Sequence, residues 1–215
     1  MIEVLNNPIK FRARILERFT FALPGERSHD SMSSRVRMSL SDYLEKHPDY
    51  RSSAVLMMLY PLNNTMHALI IERPAYEGIH SGQLALPGGK AEDVDRDLIA
   101  TALRETLEEV QVLVKEQEVV GPLTPLYIPP SNFLVQPFVA LLDHRPAFIP
   151  DEREVKSILE IPLVTLLDPH VKQRRRVLVG QNTFIEAPCY VIGENILWGA
   201  TAMMFSELEE MLRGR

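Results

Sequence analysis

Three glutamates, Glu105, Glu108 and Glu109, stand at relative positions 0, 3 and 4 in a stretch where Leu98, Ala102, Thr106 and Val110 recur at helical spacing. At about 3.6 residues per turn the three acids fall on one side of a helix, beside the stripe of recurring residues. The spacing therefore predicts a helix over about Leu98–Gln111, packed on a core, that still presents three carboxylates. Like charges so placed cost a few tenths of a kcal/mol per pair when exposed, and more when partly buried. A solvated helix face tolerates that cost. A divalent cation among the acids would reverse it, because hard cations take oxygen ligands. Arg104 can hold a carboxylate in a two-pronged contact. The Pro87-Gly88-Gly89 turn upstream lets backbone approach a ligand closely and favours the second reading.

The rest of the chain supplies a sheet for this helix. Ser53–Tyr60 and Met66–Ile71 are apolar runs split by P-L-N-N-T, a strand pair with a turn. Residues 74–90 read as a long Pro- and Gly-rich loop with a brief strand at Gln83–Leu86. Strands are expected near Val119–Tyr127, Phe133–Leu142 and Val155–Ile161, with Pro137 marking an edge or bulge. A helical turn follows at Leu163–Leu167. Short strands are expected at Arg176–Val179, Thr183–Glu186 and Tyr190–Ile192, and a closing amphipathic helix at Ala200–Leu212. Before the sheet, residues 8–19 have helical spacing with Phe11, Ile15 and Phe19 on one stripe. Residues 22–38 read as loop, and Ser39–His47 as a short helix stopped by Pro48. The fold expected is an α/β sandwich around a mixed sheet.

With 215 residues, one domain or one domain with an extension is expected. A net charge of -6 argues against unspecific nucleic-acid binding, which needs a basic excess. No run approaches the roughly 18 apolar residues of a membrane helix, and the first residues lack the apolar stretch of a secretory signal. The single cysteine, Cys189, excludes an internal disulfide and cysteine-based zinc sites. A cytoplasmic protein without membrane or nucleic-acid partners is the expectation.

Leu86–Val112 resembles the Nudix box of the Nudix hydrolases: a Gly, five residues, an acid, seven residues, then R-E-(apolar)-x-E-E-x-G-(apolar). Gly89 matches the Gly, Arg104-Glu105 the R-E, Glu108-Glu109 the E-E, and Val112 the last apolar position. The interval from Gly89 to Arg104 is one residue longer than the common form, so the upstream acid is Asp95 or Asp97, with Asp95 preferred. Thr106 replaces an apolar residue and Gln111 replaces the second Gly, which shapes the helix exit. Leu69–Gly89 is similar to the motif that precedes the box in coenzyme A pyrophosphatases. Arg73, Gly82, Pro87-Gly88-Gly89 and His80 match it; Gly78 stands where that subgroup usually has Arg, and Leu86 where it has Phe. The two motifs span about forty residues. The later S-N-F and the P-L after Ile161 also resemble the subgroup.

The resemblance implies a Nudix-type α/β/α sandwich over residues 49–215. Residues 1–48 form a helical extension expected to pack on the domain or help form a homodimer. It implies metal-dependent hydrolysis of a nucleoside diphosphate linked to another group, with coenzyme A cut to 3′,5′-ADP and 4′-phosphopantetheine. ADP-ribose, NADH or a nucleoside triphosphate are the alternative substrates, and a non-catalytic nucleotide sensor is the alternative role. Glu105, Glu108, Glu109 and the Gly89 carbonyl are then the expected ligands of Mg²⁺ or Mn²⁺. Arg104 would orient a glutamate, and Glu105, Glu108 or the late-loop Glu154 would accept the water proton; Glu152 is the other acid of that loop. Arg73, His80, Gly82 and Gly88 would face substrate. Arg174-Arg175-Arg176 reads as a solvated loop, with a phosphate clamp as the alternative, and Cys189 as inert.

Overall fold

The computed structural model describes residues 2–74, 82–180 and 183–214. The chain opens with α1 (Ile2–Leu5), α2 (Pro8–Arg18), α3 (Glu26–Asp30) and α4 (Leu40–Lys46). Asn7 caps α2 by accepting from the Lys10 N–H at 3.0 Å, and Pro8 opens it, where a missing N–H costs nothing. The first sheet follows as β1 (Arg51–Leu62), β2 (Thr65–Glu72), β3 (Leu84–Ala85) and β4 (Gly88–Lys90). After α5 (Leu98–Val110) come β5 (Val119–Pro122), β6 (Leu126–Ile128), β7 (Phe133–Leu141) and β8 (Ser157–Pro162). The chain ends with α6 (Leu163–Leu166), β9 (Lys172–Val179), β10 (Thr183–Ile192), β11 (Asn195–Trp198) and α7 (Gly199–Arg213).

β1 organises the mixed sheet. It pairs in parallel with β7 on one edge, and antiparallel with β2 and β4 on the other. Alternate β1 side chains point to opposite faces, and both faces are covered, which explains the almost unbroken apolar run. Ala54, Leu56, Met58 and Tyr60 pack in the core formed with Ala102 and Val110 of α5. Met57 and Leu59, with Val55 beside them, join the larger core of α7, where Leu5, Phe11 and Ile15 of the first two helices also sit. Two helical layers thus flank one mixed sheet, the α/β/α sandwich. The β1–β2 turn is made by Asn63 and Asn64, both left-handed with φ of 51° and 61°, the conformation a tight hairpin turn requires. β9, β10 and β11 form a separate antiparallel meander that leads into α7.

Several sequence expectations are corrected. The strand expected over 119–127 is two strands, because between Pro122 and Pro125 the chain turns Thr124 away from the ladder. There the Thr124 N–H donates to the α7 carboxylate of Glu207 at 3.0 Å. Pro137 lies on neither an edge nor a bulge of β7. It sits in a central strand opposite the gap between β5 and β6, and its carbonyl accepts from Leu123 at 2.9 Å. Residues 22–38 contain α3, whose Ser28 and His29 are buried against α7. Arg174, Arg175 and Arg176 are exposed on β9 rather than in a loop, with Arg176 over the Phe184 ring at 4.4 Å. Cys189, expected to be inert, is by contrast no correction: it is buried in the core, and burial pushes its thiol up.

Helix α7 is buried almost all round, including Glu207 and Glu209. Charges so placed must be paired. Glu209 accepts from Tyr190 Oη at 2.9 Å and meets Lys172 Nζ at 2.6 Å and Arg213 Nε at 3.0 Å. Glu207 accepts from the N–H groups of Gly25 and Thr124 and from Thr124 Oγ1, and faces His29 Nε2 at 3.2 Å. The Glu207 cluster ties the N-terminal segment to the sandwich.

Candidate active site

The site grows from the β4–α5 connection. Asp97 caps α5, accepting from the Ala100 N–H at 2.8 Å. Asp95 has a different job: its two oxygens accept from Nε and Nη2 of Arg104, each at 2.9 Å, and also from Thr101 Oγ1. The guanidinium holds Asp95 well below the ordinary carboxylate range. Of the two candidate upstream acids, Asp95 is therefore the partner of Arg104 and Asp97 the helix cap. Thr106 fits its apolar slot by donating its hydroxyl to the Ala102 carbonyl at 2.7 Å. Gln111 takes the left-handed conformation (φ 54°) that ends the helix, so the exit usually made by glycine is kept without one.

Arg104 is also the hub for the helix acids. Its Nη1 donates to Glu105 at 2.9 Å and Glu108 at 3.1 Å, and its Nη2 to the Lys90 carbonyl at 3.1 Å. The glycine pair then lets two carboxylates through. Gly88 has φ of 148°, and a Cβ there would overlap the Ala54–Val55 backbone, so β4 and β1 can approach only with glycine at this position. Its N–H donates to Glu109 Oε2 at 2.9 Å. A Cβ on Gly89 would overlap the Glu105 carboxylate. Arg73, past the end of β2, donates to the Gly88 carbonyl at 3.1 Å and stands 3.7 Å from Glu109.

These groups line one cavity of about 770 Å³. Glu105, Glu109, Glu154, Arg73, Gly88 and Gly89 form its acid end. The Glu109 side chain is only 1% exposed. Burial pushes its carboxyl up to about 7, against the pull of Arg73 and the Gly88 N–H and with Glu105 and Glu154 adding repulsion. Burial likewise raises Glu105 despite Arg104, and Glu108 and Glu154 raise it further. Carboxylates crowded with too little positive charge, together with the backbone around Gly89, make an oxygen donor set suited to a hard divalent cation. Among the described residues no three acids, histidines or cysteines are drawn together tightly enough to share one ion. Arg104 and Arg73 offset part of the acids' charge.

The expected residues thus fall into groups. Glu105, Glu109, Glu154, Arg73, Gly88 and Gly89 share the cavity. Glu108, 54% exposed, is outside its lining and is held by Arg104. Gly82 is also outside it; its N–H donates to the Pro74 carbonyl at 3.2 Å. His80 and Gly78 lie outside the described residues. Arg174, Arg175 and Arg176 do not line the cavity. Sequence reading missed three contributors to its walls: Ser33–Arg35 of the N-terminal segment, Ile185 of β10, and Trp198 with Met203 and Met204 at the α7 junction. None carries a local signal, because tertiary docking alone brings them there.

Known proteins resemble this chain in family and in fold. The NUDIX domain family matches residues 51–179. The uncharacterized Nudix hydrolase NudL of Pectobacterium atrosepticum is 33% identical over 193 residues, covering 85% of this chain and 93% of NudL. The mitochondrial coenzyme A diphosphatase NUDT8 of Homo sapiens is 31% identical over 155 residues, covering 71% of this chain and 66% of NUDT8. The crystal structure of a MutT/nudix family protein from Enterococcus faecalis superposes with a TM-score of 0.55 at 14% identity, covering 90% of this chain and 76% of that one. That likeness supports the fold alone. No helix among the described residues is long and apolar enough to cross a membrane. With the matched stretch running from the start of β1 to the end of β9, and the glutamate helix at its centre, the chain belongs to the Nudix hydrolase family.

Proposed function

We propose that this Nudix hydrolase cleaves the diphosphate of coenzyme A, giving 3′,5′-ADP and 4′-phosphopantetheine. The observation that carries the reading is the cavity itself. Its acid end, Glu105, Glu109 and Glu154, continues into an apolar wall of Leu84, Ile185, Trp198 and Met203. A diphosphate at the acid end leaves an apolar surface for a long, weakly polar arm. Relatives named as coenzyme A diphosphatases support the same substrate.

Charge neutralisation on the diphosphate and acidification of the attacking water are the chemistry that Mg²⁺ or Mn²⁺ supplies when bound. Glu105, Glu108, Glu109 and the Gly89 carbonyl would hold the ion. Arg104 sets the Glu105 carboxylate in place and keeps it there through Asp95, an arrangement in which catalysis rests on positioning and electrostatics. Glu154, exposed in the same cavity and not among the expected metal ligands, is the acid that would accept the water proton without giving up a ligand role. Arg73, through its bond to the Gly88 carbonyl, holds the turn against Glu109 and offers its remaining donors to a phosphate.

The test is a mass-spectrometric assay of coenzyme A, ADP-ribose, NADH and a nucleoside triphosphate with Mn²⁺ or Mg²⁺, with Glu108→Gln as control. Release of 3′,5′-ADP and phosphopantetheine by the parent alone is the expected result. Faster cleavage of another diphosphate replaces the substrate, and metal binding without cleavage of any replaces hydrolysis with nucleotide sensing.

A further inference from the structure

We infer that Arg35, from the N-terminal segment, is a substrate-binding residue that takes a phosphate monoester lying beyond the scissile diphosphate. The inference rests on the coenzyme A reading above and deepens it, since that substrate carries such a monoester on its ribose.

Four cations line the cavity: Arg35, Arg37, Arg73 and Lys90. Two are engaged. Arg73 is held by Gly88 and Glu109. Arg37 donates to the Tyr127 carbonyl at 2.6 Å and lies over the Tyr43 ring, fastening the N-terminal segment to β6. Lys90 belongs to β4, in the row of the acid end. Arg35 is different. It is exposed, and among the described residues its guanidinium makes no hydrogen bond or ion pair. Its backbone is set by Ser33, whose hydroxyl donates to the Arg35 carbonyl at 2.5 Å.

The sheet register places this cation relative to the acids. Lys90 pairs with Ser53, Ser53 with Val135, and Val135 with Leu126. Three strand spacings separate β4 from β6, roughly 14 Å across the cavity floor. The segment carrying Arg35 is fastened at the β6 end, next to Leu126. A diphosphate at the acid end is therefore a separate anion from the one Arg35 meets. A ligand with one diphosphate and no other phosphate leaves Arg35 unmatched. A 3′-phosphorylated adenosine diphosphate, in which a ribose separates the two anionic groups, matches both. Arginine suits the task because its planar fork binds phosphate with two parallel hydrogen bonds.

The test compares coenzyme A with dephospho-coenzyme A, which lacks only the ribose monophosphate, using the full chain, Arg35→Gln and Arg35→Lys. The parent is expected to prefer coenzyme A. Arg35→Gln is expected to raise KM for coenzyme A about 10- to 100-fold, the range for one charge-assisted contact, with kcat changed much less. The preference for coenzyme A over dephospho-coenzyme A then falls towards one, and Arg35→Lys keeps part of it. A parent that cuts both substrates equally, or an Arg35→Gln variant that keeps the parent's preference, overturns the inference while leaving the coenzyme A reading intact. A parent that cuts neither but cleaves another diphosphate overturns both.

Discussion

The carboxylate of Glu105 lies directly against the α-carbon of Gly89, with no room for a methyl group between them. The backbone of Gly89 is not left-handed, so alanine is allowed there on conformational grounds. Gly89→Ala is therefore expected to fold and to push Glu105 out of place. A displacement near 1 Å in such a site costs on the order of 100-fold in rate. Calorimetric titration with Mn²⁺ beside an activity assay checks this: both should fall while the melting curve keeps its shape. Parent-level activity would mean that Glu105 needs no fixed position.

Glu108 and Glu109 separate support from burial. Glu109 is buried and accepts from the Gly88 N–H, whereas Glu108 is more than half exposed and is held by Arg104. Glu108→Gln is expected to leave stability within about 0.5 kcal/mol, as for other exposed sites, and to cut turnover by about 100-fold or more if it is a metal ligand. Turnover within a fewfold of the parent would leave Glu108 only the role of steadying Arg104. Denaturant unfolding and steady-state kinetics on the same preparation distinguish the two.

Much of this site could be read from the chain because its residues are close in sequence. The helix needed only its apolar repeat, and Asp97, Glu105, Glu108 and Glu109 sit on one continuous segment whose geometry is local. The Asn63-Asn64 turn was legible for the same reason. What was hidden depends on distant partners. Ser28 and His29 are buried because Ser206 and Glu207 of α7 reach them, and nothing within residues 22–38 announces that. The break between β5 and β6 follows from Thr124 choosing Glu207 over the ladder. Arg35 reaches the cavity because Arg37 finds the Tyr127 carbonyl. Composition marks Ser33–Arg35 as loop residues; only the folded arrangement makes them a wall of the site.

Gln111 occupies a left-handed position that most residues adopt at a cost of about 1 kcal/mol. Gln111→Gly is expected to raise stability by roughly that amount, less the extra freedom glycine gives the unfolded chain. Urea midpoints check the sign. Activity should be unchanged, since Gln111 is exposed and outside the cavity lining. A loss of stability would show that the side chain supports the helix exit.

Glu207 links the N-terminal segment to the sandwich through one buried carboxylate. Burial alone would raise its pKa above the ordinary value of 4.5, but the bonds from His29 and Thr124 outweigh it and hold it lower. A carboxyl with a folded pKa below its unfolded one contributes stability above the unfolded value, and that contribution is lost as pH falls through the folded value. The parent should therefore lose stability as pH drops below about 4.5. Glu207→Gln removes this titration but leaves the donors of Gly25 and Thr124 poorly matched, at a cost of about 2–4 kcal/mol near neutral pH. The stability gap between parent and variant is expected to be widest at pH 7 and to narrow as pH falls towards 3. Melting temperatures of both proteins across that range decide it: a gap that stays constant would mean that Glu207 titrates alike in the folded and unfolded chains.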